Sequence, residues 1–323
     1  MRFLKKVLLV GVTFFLLAVL GLILALKYPV RDPALHASHF AARASMKNLP
    51  TLQLQVFETG YSTAPEAYVR RGGELLEKER LTHSVVLIRH PKGNIVLDSG
   101  LGMHFSEQVA RASWDHRLLD PLTFFPTMPL AKQAAFPILD PKRDFFLISH
   151  AHFDHLGGAL DFPDIPVRML AAEKEFSEIP EDPFRHGVFP EQISALKHRL
   201  VPIQLKNEPY ENFSQSLDLF GDGSIVLVSL AGHTPGSLGV FANLPDGQRI
   251  LFVGDALWTV DERGQPEARS PVAEWTSDFD KTQARLTRLK LAELIAHSNE
   301  VTLVPIHDSR ALEKVQKLVS KKL

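Results

Sequence analysis

From Thr51 onward the apolar residues come in short runs rich in Val, Ile, Leu and Phe, separated by Gly, Pro, Asn and Asp. Runs of that length and make-up, bounded by turn residues, read as buried β-strands. Strands are predicted at Leu52–Phe57, Ser84–Ile88, Asn94–Asp98, Phe145–Ser149, Ile225–Leu230, Arg249–Val253 and Val301–Pro305. The second and third are joined by the turn-rich His90-Pro91-Lys92-Gly93. Helical spacing is clearest in two places. Lys281–His297 follows Asp280, a good N-cap, with Gln283 three residues on. In Ala311–Leu323, Leu312, Val315, Leu318 and Val319 share a face, which leaves Lys314, Lys317, Lys321 and Lys322 to solvent. Strand-like and helix-like segments interleave without repeats, so a mixed sheet-and-helix domain is expected over residues 51–323.

The N-terminus follows another pattern. Val7 to Leu26 is uncharged and, but for Thr13 and two glycines, apolar. As a helix it spans about 30 Å, the thickness of a bilayer's hydrocarbon core. A membrane anchor is therefore expected over residues 1–27, with residues 28–50 as a spacer. A cleaved signal peptide and a buried helix are the alternatives. The nearest small-residue cleavage pattern, Ala42-Arg43-Ala44, is distant from the apolar run. Arg2, Lys5 and Lys6 outnumber Lys27 and Arg31, which directs the N-terminus inward and the domain to the periplasmic or extracellular side; with signal cleavage the domain would be secreted.

Composition narrows the chemistry. Lys+Arg (36) and Asp+Glu (37) nearly cancel, so no net field draws the chain to nucleic acid, and no nucleic-acid partner is expected. The absence of cysteine removes thiol nucleophiles, disulfides and thiolate metal sites. Histidine is plentiful, at 14. Four of the predicted strands run into metal-capable side chains. Phe145–Ser149 leads to His150-Ala151-His152-Phe153-Asp154-His155-Leu156-Gly157-Gly158, Ile225–Leu230 to Gly232-His233-Thr234-Pro235-Gly236, Arg249–Val253 to Gly254-Asp255, and Val301–Pro305 to Ile306-His307-Asp308. His150 and His152, two apart in extended backbone, project to one side and can chelate one ion. Asp154 and His155 follow as the chain turns and face a neighbouring position. Imidazole and carboxylate without thiolate suit Zn2+, with Mn2+ or Fe2+ as alternatives.

These residues resemble the metallo-β-lactamase superfamily. The segment His150–Gly158 fits its H-x-H-x-D-H-x-G-G motif at every fixed position, and His233, Asp255 and His307 follow in the family's order. The resemblance implies a four-layer αββα sandwich and two divalent metal ions. His150, His152 and His233 would hold the first, Asp154, His155 and His307 the second, with Asp255 bridging and Asp98 supporting the ligands from behind. It further implies a metallohydrolase, with Asp154 and Asp255 able to move a proton during the reaction. An Asp at 255 is what lactonases, thioester hydrolases and phosphodiesterases of the superfamily carry, and Thr234-Pro235-Gly236 is similar to the lactonase and glyoxalase II branches. A lactone, ester or thioester carbonyl is the expected target. A phosphodiesterase, a β-lactamase and a non-catalytic metal-stabilised binding protein are the alternatives. Two insertions carry aromatic residues: Phe105, Trp114, Phe124, Phe125 and Phe136 in Met103–Pro141, and Phe184, Phe189 and Tyr210 in Phe176–Glu211. They are candidates for an apolar lid over a small-molecule substrate with an acyl part, or else for packing the loops onto the core. Tyr210 is a candidate oxyanion donor. The other nine histidines are read as structural or surface residues, His104 and His116 being the nearest to the candidate site in sequence.

Overall fold

Among the described residues, twelve strands paired into two sheets account for the apolar runs. The computed structural model describes residues 48–179 and 187–320 without a break, together with residues 39–41 and scattered helical positions between Thr13 and Leu24. In chain order the strands are β1 (Gln53–Pro65), β2 (Lys78–His90), β3 (Gly93–Leu97), β4 (Phe124–Pro126), β5 (Phe145–Leu147), β6 (Val167–Leu170), β7 (Leu200–Ile203), β8 (Ser216–Asp218), β9 (Ile225–Ser229), β10 (Leu238–Asn243), β11 (Arg249–Phe252) and β12 (Val301–Val304). One sheet has the order β4-β1-β2-β3-β5-β6-β7 and the other β12-β11-β10-β9-β8.

The period-two alternation of strands explains how the layers hold together. In β2, Val86 and Ile88 enter one apolar core with Ile95, Leu97 and Leu147, together with Val226, Val228, Val240 and Leu251 of the second sheet. Val85 and Leu87 enter another core with Val96, Phe146, Ile148 and Met169, where Leu156, Ile193 and Leu196 pack from helical segments. Leu291, Leu294 and Ile295 of the Lys281–His297 helix and Leu312 and Val315 of the Ser309–Ser320 helix join the first core. The result is a mixed α/β sandwich flanked by helices. Asp280 caps its helix as the sequence suggested, its carboxylate accepting from Gln283 N at 2.9 Å.

Among the described residues no helix is long and apolar enough to cross a membrane. Most of the expected anchor, Val7–Leu26, lies outside the described residues, as do most of the spacer and Phe184.

Candidate metal centre

Strand direction decides where the polar strand ends collect. β3 and β5 are parallel neighbours, as are β11 and β12, and β9 runs the same way as β11 because both are antiparallel to β10. Side chains that follow these five strands emerge where their C-terminal ends meet, the usual place for a site in sheets of this kind. All seven candidate ligands are there. The donor atoms of His150, His152 and His233 lie within 4.8 Å of one another, and so do those of His150, His155 and Asp255. His152 Nδ1 and His233 Nε2 face each other at 3.1 Å. Two ligands of one tetrahedral ion, each about 2.0–2.1 Å from it, stand about 3.3 Å apart.

The second group gathers around Asp255 Oδ1, which is 3.2 Å from His155 Nε2 and 3.0 Å from His307 Nε2. The two imidazole nitrogens are 3.2 Å apart. Asp154 Oδ2 stands 3.8 Å from the first and 3.7 Å from the second. The other oxygen of Asp255, Oδ2, is 3.5 Å from His233 Nε2. The Asp255 carboxylate thus turns one oxygen to each group.

What lies behind the ligands fixes which nitrogen faces inward. Asp98 Oδ2 pairs with His155 Nδ1 at 2.9 Å. The Thr82 carbonyl accepts from His307 Nδ1 at 2.6 Å, Asp278 Oδ1 from His233 Nδ1 at 3.1 Å, and Ser149 Oγ from His150 Nδ1 at 3.1 Å. Each bond turns Nε2 into the cluster, where it offers a lone pair when the ring is neutral. Asp98 itself is fully buried, accepts from Ser149 N at 2.7 Å, and has a left-handed backbone (φ 56°). Such a conformation costs an L-residue roughly 1–2 kcal/mol and is held by these bonds.

Sequence reasoning missed several supports. Asp278 also accepts from Arg269 and Arg288. Trp258 Nε1 donates to Asp255 Oδ2 at 2.7 Å. The buried Glu173 accepts from Ala151 N (2.7 Å), Thr234 Oγ1 (2.6 Å) and Gly236 N (3.0 Å), tying the His150–His152 turn to the His233 turn. Burial pushes its carboxyl up to about 7, against the pull of those three donors. Gly158, in the closing Gly-Gly, allows a close approach, since a Cβ there would lie 2.0 Å from Ser99 O.

The cluster fits divalent cations on its own terms. Burial, then neighbouring imidazoles, lowers His150 and His152 well below the ordinary imidazole range. Burial works against ionised Asp154 and Asp255, but adjacent histidines overcome it and hold both below the carboxylate range. Neutral imidazoles and ionised carboxylates are the ligating forms. Burial also opposes protonation of His155 and His307. The carboxylates nonetheless raise both, with Asp154 and Asp98 leading at His155 and Asp255 at His307, and that negative field is what a cation neutralises. His150 Nε2 and Asp255 Oδ1 are buried without a hydrogen-bond partner, although nitrogens stand close to Asp255 Oδ1. Those nitrogens are therefore not aligned as donors to it. Orphan atoms of this kind at a polar centre point to an ion.

Other candidates lie apart from the cluster. Tyr210 is not an oxyanion donor: its hydroxyl bonds Asn243 at 3.0 Å and Arg249 at 2.9 Å, and its ring packs on the inter-sheet core. His104 is exposed beside Glu107, and His116 pairs with Asp120 at 2.8 Å. Trp114 is 71% exposed. Phe124 packs with Phe105 and Phe153, and Phe153 with Phe189, forming a small core cluster in which Phe124 alone of the four is half-buried and stacks on His83 beside Asp154.

Comparison with known proteins agrees with this geometry. The metallo-beta-lactamase superfamily model matches residues 79–294. A probable metallo-hydrolase of Mycobacterium tuberculosis is 26% identical over 244 residues, covering 69% of this chain and 74% of its own. The N-acyl homoserine lactonase AttM of Rhizobium radiobacter is 24% identical over 236 residues, covering 72% and 83%. Among solved structures, an N-acyl homoserine lactone hydrolase with N-hexanoyl-L-homoserine at its catalytic metal centre superposes with a TM-score of 0.59 at 18% identity, over 82% of this chain and 96% of that one. The dizinc quorum-quenching lactonase AidC gives 0.56 at 16% identity, over 84% and 90%. With the family model spanning most of the domain, the chain belongs to the metallo-beta-lactamase superfamily, and it is a metallohydrolase.

Proposed function

We propose that this hydrolase opens a lactone carrying an acyl part, using two divalent ions held by His150, His152 and His233 and by Asp154, His155 and His307, with Asp255 shared. The observation that carries the reading is the convergence of seven donors, four of them with the outward nitrogen occupied by a fixed partner. Two such ions, Zn2+ or else Mn2+ or Fe2+, supply a nucleophile at neutral pH and polarise the carbonyl. Asp98, Asp278 and the Thr82 carbonyl hold the imidazoles in their ligating tautomers. Asp154, whose side chain is 12% exposed against 6% for Asp255, would take the proton released by the attacking water and pass it to the leaving ring oxygen, a transfer in which Asp255 would share. Phe124, half-buried against that core cluster and stacked on His83 on the Asp154 side, offers apolar surface to an acyl chain. The named activities of AttM and of the product-bound hydrolase support a lactone over other esters.

The test is a panel of an N-acyl lactone, an aryl ester, a thioester and bis-p-nitrophenyl phosphate, assayed with the full chain and with Asp255→Ala. Lactone turnover that Asp255→Ala abolishes supports the reading. Turnover of the phosphodiester alone replaces it with the phosphodiesterase alternative, and an inert metal-loaded protein replaces it with a binding role. We further infer from the apolar run Val7–Leu26 that the domain is anchored to a membrane on its non-cytoplasmic side. Recovery of the chain in the soluble fraction at its full mass would contradict that placement.

A further inference from the structure

His83 stands in β2, outside the motif, yet its side chain reaches the cluster. Its ring is 1% exposed, and Nδ1 lies 3.0 Å from Asp154 Oδ2. Neither ring nitrogen has a hydrogen-bond partner, so this close approach is not an aligned hydrogen bond. A buried polar group left unpaired is costly and calls for a bound ion or water.

The surroundings hold the ring firmly. The β1–β2 register slips between Glu58 and Gly60, an irregularity of the kind that re-aims side chains next to sites. Thr59, inside the slip, donates its hydroxyl to the His83 carbonyl at 2.9 Å. Phe124 stacks on the ring at 4.9 Å between centroids and 13° between planes, while His307 meets it edge-on at 5.2 Å. The preceding residue, Thr82, is the one whose carbonyl fixes His307. One turn of strand therefore orients one ligand and delivers a second imidazole beside it.

We propose that His83 is a fifth protein donor of the second ion position, joining Asp154, His155, His307 and the shared Asp255. The donor atoms of His83, Asp154 and His307 lie within 4.8 Å of one another. Ligands bound to one ion at about 2.0–2.2 Å lie no more than about 4.4 Å apart, so small adjustments suffice. Five nitrogen and oxygen donors leave an ion at most one further position for water or substrate in an octahedral shell. The first position, with His150, His152, His233 and Asp255, keeps more of its shell open. The second position should accordingly favour ions that accept five or six ligands over a strictly tetrahedral one.

This inference rests on the two-ion reading, and the experiment separates the two. The full chain, stripped of metal, is titrated with Co2+ while heat and the visible spectrum are recorded; uptake of fewer than two ions by the parent overturns the two-ion reading itself. The comparison is with His83→Phe, which keeps a ring against Phe124 and removes both nitrogens, and with His83→Gln, which keeps polarity at lower bulk. The expected result is that both variants bind the first Co2+ as the parent does. They bind the second at least about 10-fold more weakly, with a changed second-ion spectrum that reports one imidazole fewer. Parental affinity for both ions overturns the proposal. So does weaker binding of the second ion with an unchanged spectrum, since His83 would then only be supporting Asp154.

Discussion

Replacing Asp278 by Ala tests how far the cluster depends on charge behind its ligands. The carboxylate is fully buried and meets three partners: Arg269 Nη1, Arg288 Nη1 at 3.2 Å and His233 Nδ1 at 3.1 Å. Burial disfavours its charge, but the field of Arg269 overcomes this and holds the carboxyl well below the usual range. Breaking a buried pair by removing one partner costs about 3–5 kcal/mol. Here the loss falls at the lower end, because Arg288 retains Glu274 at 2.7 Å. Arg269 retains the Asp255 carbonyl, Ser277 Oγ at 3.4 Å, the face of Trp258 at 4.0 Å and a distant Asp255 Oδ2 at 3.9 Å. A loss of about 3 kcal/mol corresponds to a fall in Tm of about 6 °C, taking the smaller shift per kcal/mol seen in larger domains. His233 also loses the acceptor that keeps its proton on Nδ1, while Arg269 Nη1, 3.0 Å from that nitrogen, now favours the opposite tautomer. Affinity for the first ion should fall about 10–100-fold, the usual effect of removing a ligand's supporting partner. Calorimetric melting of the metal-free chain and a Zn2+ competition titration read the two effects separately. A variant that melts lower but binds its first ion as tightly as the parent would refute the claim that Asp278 sets the state of His233.

Four further outcomes follow from the same geometry. Gly158→Ala pushes a methyl toward Ser99 O, 2.0 Å from the ideal Cβ position, and should cost about 1–3 kcal/mol in chemical denaturation; an unchanged midpoint speaks against the close packing. Glu173→Ala strands two backbone N–H groups and leaves the Thr234 hydroxyl with Ser237 Oγ in place of the carboxylate. It should lower stability by at least about 1–3 kcal/mol and speed amide exchange at Ala151 and Gly236; unaltered exchange there would detach Glu173 from the two turns. Trp114→Ala should leave acyl-chain preference as it was, because the indole is largely in solvent, whereas Phe124→Ala should blunt it; the reverse ranking would restore Trp114 as a lid. Removing metal with a chelator should lower Tm, because ions that bind only the folded cluster stabilise it by mass action; identical melting with and without chelator counts against bound ions.

The sequence made the strand-end residues legible because each follows an apolar run into a turn: strand pairing gathers His233, Asp255 and His307 at one end of the second sheet, and the packing of the two sheets brings His150 to them. The cap at Asp280 was readable for a similar reason: it is local. Strands β4, β6, β7, β8 and β10 escaped notice. β4 and β8 are only three residues long, β6 (Val167–Leu170) and β7 (Leu200–Ile203) are short and border or contain proline, and β10 (Leu238–Asn243) carries Gly239 and Ala242 in place of a continuous β-branched run. Asp278, Thr82, Glu173 and His83 were hidden for a different reason. Each reaches the cluster only through the packing of one element on another, and nothing in its own neighbourhood in sequence marks it. Aromatic content suggested a lid over the site but could not tell that Phe124 points inward and Trp114 out. Tyr210 misled because a phenol near a candidate site in sequence lies, in the sandwich, beside Arg249 on the inter-sheet core.

The most direct measurement is an anomalous-scattering map of crystals of the Co2+- or Zn2+-loaded chain. Two peaks should appear, one among His150, His152 and His233 and the other among Asp154, His155 and His307, with Asp255 touching both. A single peak, or metal bound away from these side chains, would contradict the account.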